Sequence, residues 1–462
     1  MLSERTARDV LDAALCRGAD YAELFYEETE TNIVEVQNGD VTKANCGMVA
    51  GAGVRVLLGT QSAYAYTAEL TEDALIETAR AAAAALKRSE RRDAAPFAVR
   101  RGFGRTEIPF SSVTNAMRVP MLLEAARVAR EVSPDITQAV SGYMDRFQRV
   151  MIATSEGVLA YDDRPRTRSY VRAVAMKDGV AQTGFEGPGC SLGFEAYRTR
   201  IDMNEVARVA ANTAVTMLYA PECPAAVVPV VIDDGFGGVI FHEACGHSLE
   251  ATAVSKGNSE FCGKLGMPVA SACVSAVDDG TLAGEWGTLR FDDEGMPTRR
   301  NVLIENGVLK SYMIDLVGSR RMNLPTTGSS RRQGYAYMPT SRMTNTFLLP
   351  GGDDEEEMIR TMGEGLYAKK MGGGSVNPAT GEFNFAVAEG YWVRDGRIVT
   401  PVRGATLVGK GTEILRRIDR VGKTCRLAEG MCGSVSGSIP TCVGQPRIRV
   451  TDITVGGKGG AI

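Results

Sequence analysis

The pattern of apolar and turn-forming residues changes once along this chain of 462 residues, at a proline-flanked stretch at 221–229. Before it, helical segments alternate with long β-branched runs, which favours helices packed on a sheet. After it, short apolar runs are broken by Gly, Asp and Pro, as is typical of antiparallel β structure. A chain of this length also exceeds one ordinary hydrophobic core. We therefore predict an α+β protein with an N-terminal α/β domain (mixed sheet with helices) at 1–225 and a C-terminal, predominantly antiparallel β domain at 226–462.

Four segments of the N-terminal part carry the apolar period of amphipathic helices, and one of them begins at the capping residue Thr71. The pattern predicts helices at 3–16, 71–86, 115–131 and 204–218, and strands at 21–26, 32–37, 47–58, 62–67 and within 136–175. Asn38-Gly39-Asp40 predicts a tight hairpin turn. The charged stretch at 88–109 predicts an exposed loop.

Composition narrows the class of protein. The hydrophobic fraction of 44% and the charged fraction of 23% are ordinary for a globular protein, and a net charge of -4 gives no broad basic surface for nucleic acid. The first residues form an amphipathic helix rather than a signal peptide, and no apolar run is long enough to cross a bilayer. The ten cysteines form no Cys-x-x-Cys pair and are expected to be reduced. We expect a cytoplasmic protein with no nucleic-acid or membrane partner.

The histidines are the most unusual part of the composition, since the chain has only two. His242 and His247 lie five residues apart on a glycine-rich helix that follows a strand, and Glu243 directly follows the first. Positions i and i+5 of an ideal α-helix point about 140° apart. The two side chains can converge only if the helix is distorted, so the spacing predicts a π-bulge or local unwinding within 244–247. Gly246 is well placed to permit the distortion.

Two imidazoles beside a carboxylate match the ligands and base of a zinc hydrolase, in which Glu243 would take a proton from the zinc-bound water. The alternative is that both histidines cap the helix or fill the core, as an isolated histidine usually does. Because the only two histidines flank one glutamate, the pattern favours metal binding by His242 and His247. A catalytic zinc usually needs a third protein ligand. The sequence leaves Glu250, another carboxylate or a cysteine open for it, while Cys245 is expected to point elsewhere.

Further motifs follow the histidine segment, and the whole series resembles the TldD/PmbA family of metallopeptidases, specifically its TldD-like catalytic branch. The resemblance covers essentially the whole chain. The motifs after the segment from His242 to Glu250 are Val277-Asp278-Asp279-Gly280-Thr281, Phe291-Asp292-Asp293-Glu294-Gly295, Asn301-Val302-Leu303-Ile304-Glu305-Asn306-Gly307, Arg342-Met343-Thr344-Asn345-Thr346, Gly372-Gly373-Gly374, Gly404-Ala405-Thr406-Leu407-Val408-Gly409, Gly444-Gln445-Pro446 and Thr454-Val455-Gly456-Gly457.

The resemblance implies a third metal ligand, Cys432, which lies in a Cys-Gly segment shortly before Gly-Gln-Pro; Cys425 and Cys442 are weaker alternatives. It also implies one Zn²⁺ per chain, hydrolysis of short or unfolded peptides, and assembly as a homodimer or as a heterodimer with a sister family subunit. Two other functions stay open. One is a non-catalytic scaffold or partner subunit with a structural metal, for which a fourth ligand is expected. The other is a metal-dependent amidase acting on a non-peptide substrate.

Two segments have less certain roles. Arg331, Arg332 and Arg342 have the chemistry to bind a peptide carboxylate in a bidentate manner, although arginines of this kind are more often solvated on the surface. The glycine run at 372–374 would allow close backbone approach, and a plain loop is the competing interpretation.

Overall fold

The structure is a computed structural model that describes residues 1–86, 93–104, 106–377 and 380–460. All four predicted helices are present, with ends that differ from the prediction by no more than two residues. No helix within the described ranges is both long enough and apolar enough to cross a membrane. The α-helices are α1 Glu4–Leu15, α2 Glu72–Ala84, α3 Asn115–Glu131, α4 Ala196–Thr199, α5 Met203–Tyr219, α6 Val239–Phe241, α7 Ala251–Val254, α8 Leu316–Met322, α9 Glu355–Arg360 and α10 Gly411–Arg417.

The first sheet has eight strands in the order β3-β2-β1-β5-β6-β4, with β7 and β8 also paired to β6. It is mixed, because β4 runs parallel to β6 while the other pairs are antiparallel. Asn38 and Gly39 form the predicted turn with positive φ values of 52° and 102°. The strands are β1 Tyr21–Gln37, β2 Asp40–Leu58, β3 Gln61–Thr67, β4 Ala98–Phe103, β5 Ile136–Thr154, β6 Val158–Lys177, β7 Val180–Glu186 and β8 Gly189–Cys190.

The two faces of the first sheet have different partners, because side chains alternate along each strand. Ala22, Leu24 and Tyr26 of β1 pack in one cluster with α1 and α2, and Val34 of the same parity packs with α3 and α5. Phe25, of opposite parity, packs instead against Phe291 in the second half of the chain. The helices therefore cover one face, and the other face contacts the C-terminal half.

The prediction of an exposed loop at 88–109 is wrong for part of that stretch. Residues 87–92 and 105 lie outside the described residues, but β4 pairs in parallel with β6, with Ala98 opposite Val158. Arg100 and Arg101 give this segment the charged composition of a loop, although charged residues are also typical of a strand at the edge of a sheet.

The second sheet has eleven strands, and most of its pairs are antiparallel, as predicted; β15–β21 and β9–β16 are the parallel ones. Strands β21, β19, β17, β16 and β9 close on themselves through a β21–β9 pairing, which makes this part barrel-like. Strands β13 and β14 pair separately. The strands are β9 Ala226–Ile232, β10 Ala276–Asp279, β11 Arg300–Glu305, β12 Val308–Leu309, β13 Ser330–Arg331, β14 Thr340–Ser341, β15 Asn345–Leu348, β16 Gly365–Val376, β17 Glu382–Arg394, β18 Arg397–Val402, β19 Thr406–Lys410, β20 Ile418–Ser434 and β21 Gly437–Gly456.

The observed architecture thus confirms the α+β class. The first sheet ends at β8 before helix α5, and the second begins at β9, whose first residues lie within the proline-flanked stretch. The division into domains at 225 and 226 stays a prediction, because strand membership alone does not define where a folding unit ends.

Buried ion pairs join the two halves. Arg55 in β2 is fully buried and donates through Nη2 to Glu23 Oε2 at 2.6 Å and to Glu294 Oε1 at 2.7 Å. Arg164 Nη1 donates to Asp293 Oδ1 at 2.7 Å, and Arg332 donates to Glu23. Since charges this deep are tolerated only when paired and hydrogen-bonded, the Asp-Asp-Glu motif at 292–294 anchors the C-terminal half to the first sheet.

Candidate metal centre

The segment that carries the histidines leaves β9 and winds through three kinds of helix. A 3₁₀ turn, Gly235–Gly238, precedes α6, a π-helical turn follows at His242–Gly246, and a second 3₁₀ turn covers His247–Leu249. A Cβ atom on Gly238 would lie 2.4 Å from the main-chain oxygen of Gly444 in β21. The absence of a side chain at this position lets β21 lie directly against the start of the helix.

The predicted helix distortion is confirmed as a π-helical turn. The His247 N–H donates to the His242 carbonyl, five residues back, which is the bond that defines a π-helix. The extra residue in this turn brings the imidazole rings to 5.2 Å between centroids. Gly246 has a φ of -55°, which any residue adopts, so it is not needed for the distortion. Its role is steric, because a Cβ there would lie 2.4 Å from Met343 Sδ.

Cys432 reaches the histidines from the hairpin formed by β20 and β21. Its Sγ lies 3.2 Å from His242 Nε2 and 3.2 Å from His247 Nε2. The three donor atoms all lie within 4.8 Å of one another. Nitrogen and sulfur bound to one tetrahedral zinc, at typical bond lengths, are about 3.6 Å apart. The donor set and its spacing therefore fit one zinc ion.

Electrostatics in the cluster favour the ligand form of the sulfur. Burial alone would raise the pKa of the Cys432 thiol, but His242 and His247 outweigh it and lower the pKa to about 4. Burial alone would lower the pKa of the His247 imidazole, but the Glu250 carboxylate and the Cys432 sulfur raise it well above its usual value. The thiolate, which is the form that binds metal, is thus stabilised within the fold.

Two glutamates lie on different sides of His247. Glu243 Oε2 is 3.8 Å from His247 Nε2, the ring atom that faces Cys432, and its side chain is 31% exposed. Glu250 Oε1 is 3.1 Å from His247 Nδ1, the opposite ring nitrogen. Glu250 therefore orients the imidazole, whereas Glu243 lies beside the three donors with a side open to solvent. The Nδ1 atom of His242 is buried with no hydrogen-bond partner among the described residues.

The other residues considered as ligands lie apart from this cluster. Within the described part of the chain, His242, His247 and Cys432 are the only group of three or more metal-binding side chains close enough to share an ion. Cys245 is buried beside Ile240 and Ile414 in the core, as expected of a residue that points elsewhere. Cys425 Sγ lies near the Leu348 carbonyl, and Cys442 is buried in β21.

The view of Arg331, Arg332 and Arg342 as solvated surface residues is wrong, because each is at least 96% buried. Arg332 joins Glu23, and Arg331 Nη1 donates to the Met343 carbonyl at 2.7 Å. Arg342 lies next to the metal centre and donates to the Cys432 carbonyl at 2.5 Å. Arg342 was singled out from the sequence, but the direction of its side chain depends on tertiary packing, which no local pattern encodes.

The glycine run at 372–374 is not a plain loop, because it lies within β16. A Cβ on Gly374 would lie 2.1 Å from the Asn384 carbonyl oxygen, whereas Gly373 has open space. Close approach to the neighbouring strand β17 is thus the reason for glycine at position 374.

The overall fold is shared with solved structures. A Thermotoga maritima protein described as a candidate modulator of a DNA gyrase superposes with a TM-score of 0.79 at 22% identity, covering 98% of this chain and 100% of the other. TldE from Thermococcus kodakarensis superposes with a TM-score of 0.76 at 17% identity, covering 95% and 97%. At these identities the likeness shows the fold alone.

Comparison with family models and with a relative gives the class of this protein and then its family. Models described as PmbA/TldA metallopeptidase domain 1, central domain and C-terminal domain match residues 22–86, 108–218 and 225–457. A Haemophilus influenzae protein named metalloprotease TldD homolog is 33% identical over 99% of this chain and 97% of its own length. The chain is therefore a metal-dependent hydrolase of the metallopeptidase class. It belongs to the PmbA/TldD family, which confirms the resemblance found in the sequence.

Proposed function

We propose that this chain is a zinc-dependent peptidase in which His242, His247 and Cys432 bind one Zn²⁺ and Glu243 is the catalytic base. The observation that carries the proposal is the convergence of two imidazoles and a thiolate beside a partly exposed carboxylate. Bound zinc supplies Lewis acidity, which polarises the scissile carbonyl and lets water ionise near neutral pH.

The residues of the chain account for the rest of the chemistry. The Glu243 carboxylate is partly exposed and lies 3.8 Å from His247 Nε2, one of the three donors, so it is placed to take a proton from attacking water and return it to the leaving amine. Glu250 holds the His247 ring so that Nε2 faces the cluster. A carboxylate partner of this kind fixes the tautomer and orientation of a ligand histidine.

A structural metal in a non-catalytic scaffold is less well supported. Structural zinc sites are usually closed by four protein ligands, and the described residues offer three at this point. Glu250, which the sequence left open as a ligand, contacts the Nδ1 side of His247 instead. Three donors leave a position for substrate or water, which favours catalysis.

Peptides are the substrate class that we propose, because the chain belongs to a family of metallopeptidases. Short or unfolded peptides fit a site on strands and a helix, since an extended peptide can pair with exposed backbone independently of its side chains. An amidase acting on non-peptide amides would use the same metal ligands, so substrate choice has to be measured directly. We also propose a cytoplasmic location, with which the ten free cysteines agree.

The experiment that tests this function combines metal analysis with substrate cleavage. We expect about one zinc per purified chain, cleavage of an unstructured peptide, loss of cleavage after chelation and recovery on adding zinc. A non-peptide amide such as an acyl anilide should be cleaved far more slowly than the peptide. A zinc-loaded chain that cleaves neither substrate would favour the scaffold, and preference for the anilide would favour the amidase.

We propose that the chain assembles with a second copy along strand β2. Residues 40–49 are exposed on both faces, and β3 pairs with β2 only from Ala52 onward. The outer edge of 40–51 thus has no strand partner among the described residues, and it carries Met48 and Val49 at 68% and 53% exposure. An unpaired edge with exposed apolar side chains such as Met48 and Val49 is normally blunted or covered, and pairing with the same strand of another copy covers it.

Light scattering on the purified chain tests this assembly. We expect the mass of a dimer for the native chain, a monomer for Val49→Lys, and a dimer for the control Val399→Lys, whose valine is equally exposed on β18. A monomeric mass for the native chain alone would contradict self-assembly and leave a sister family subunit as the partner to test.

A further inference from the structure

The hairpin tip that carries Cys432 packs on the core through one face only, where Cys432 and Ile439, the residue paired with it, are buried. Strand β20 ends at Ser434 and β21 begins at Gly437, so Cys432 lies two residues before the end of β20. Met431 and Val435 on either side of it are 49% and 76% exposed. The other face is open to solvent, so polar contacts add to this packing in setting the position of the sulfur relative to the histidines.

Arg342 makes those contacts from a fully buried position. Its Nη2 donates to the Cys432 carbonyl at 2.5 Å, and its Nη1 donates to Ser436 Oγ at 2.9 Å and to the Gly437 carbonyl at 3.0 Å. One guanidinium thus holds the end of β20, the turn and the start of β21. Gln333 adds two bonds to the same tip, from its N–H to the Ser436 carbonyl and from the Ser438 N–H to its Oε1.

The same arginine also faces the histidine side of the cluster. Its Nε lies 3.8 Å from Glu250 Oε1, the oxygen that is 3.1 Å from His247 Nδ1. This Nε has no hydrogen-bond partner among the described residues. Arg342 therefore links the main chain of one donor residue with the carboxylate that orients another.

The backbone around Arg342 is itself fixed to the helix that bears the histidines. Ser341 Oγ accepts from the Thr252 N–H at 2.8 Å in α7, directly after Glu250. Met343 packs against Gly246 within the π-helical turn. Residues 341–343 thus lie between the helix and the hairpin and contact both, so a shift in one would be transmitted to the other.

We propose that Arg342 is a positioning residue of the metal centre, which holds the Cys432 hairpin against the His242–His247 helix so that the three donors converge before metal binds. This inference rests on the proposed function, since it takes these three residues as the ligands. Lysine retains the charge but not the planar fork, and one ammonium does not span the two hairpin strands and the carboxylate together.

The test compares Arg342→Lys with Arg331→Lys, which is a matched control. Arg331 is also buried, and its side chain donates to the Met343 carbonyl without a hydrogen bond to Cys432, Glu250 or the hairpin turn. Zinc affinity is measured by competition with a chromophoric chelator, and thermal unfolding of the metal-free proteins reports the fold. We expect Arg342→Lys to weaken zinc binding by about 10- to 100-fold, and Arg331→Lys to stay within about threefold of the native chain even if both lower the melting temperature.

If Arg342 has a purely structural role, Arg342→Lys lowers the melting temperature but binds zinc as tightly as Arg331→Lys, and that result would overturn the proposal. If Arg342→Lys does not fold, Ser436→Ala removes one of its acceptors with little change in volume. That variant should bind zinc several-fold more weakly, and unchanged affinity would likewise overturn the proposal. A native chain that binds no zinc would instead contradict the proposed function itself, so the two failures are distinguishable.

Discussion

Glu243→Ala is expected to retain zinc and to hydrolyse peptides about a thousandfold more slowly than the native chain, the usual effect of losing a general base. The carboxylate lies 3.8 Å from His247 Nε2 and is not one of the three grouped donors, so removing it leaves the ligand set intact. It is also partly exposed, so alanine should cost little stability. The measurement is the initial rate of peptide cleavage alongside zinc content.

Glu243→Gln is the sharper companion variant, because the amide keeps the shape of the side chain but does not accept a proton at neutral pH. It should lose as much activity as the alanine variant. Glu413→Ala, at an exposed position in α10, serves as the control that leaves activity unchanged. Turnover at the native rate by either Glu243 variant, with contaminating peptidases excluded, would show that another group is the base.

Cys432→Ser is expected to abolish both tight zinc binding and peptide hydrolysis. A serine hydroxyl does not ionise near neutral pH, whereas the neighbouring imidazoles lower the pKa of the Cys432 thiol to about 4. Zinc affinity should fall at least about a hundredfold, since a thiolate ligand is lost outright. Titration with zinc and the metal-dependent rise in melting temperature report the loss independently of activity.

Cys425→Ser and Cys442→Ser are the matched controls, because both cysteines lie in the same hairpin and neither belongs to the donor cluster. Cys425→Ser should bind zinc like the native chain. Cys442 is completely buried, so its serine variant should be less stable but still bind zinc. Loss of zinc binding in Cys425→Ser together with its retention in Cys432→Ser would show that Cys425, and not Cys432, is the third ligand.

Local patterns predicted the elements well where short-range physics decides them. The periodic helices at 115–131 and 204–218 and the Asn-Gly turn at 38–39 appear where expected, because periodicity and turn chemistry act over a few residues. The strand at Ala98–Phe103 was missed, because its arginines are typical of a loop and its pairing with β6 is not visible in the sequence. The sequence left the glycine run at 372–374 open between a plain loop and close backbone approach for the same reason, because its neighbour β17 is not visible in a local pattern.

The sequence by itself determined the helix distortion, because two histidines five residues apart can face one point only if a π-turn forms between them. It also singled out His242, Glu243 and His247 as one chemical unit. The convergence of Cys432 on that unit, and the direction of the Arg342 side chain, were decided by the tertiary structure alone. The sulfur lies 190 residues beyond His242 in the chain, and only the pairing of β20 with β21, and the packing of β21 on Gly238, carry it back to the helix.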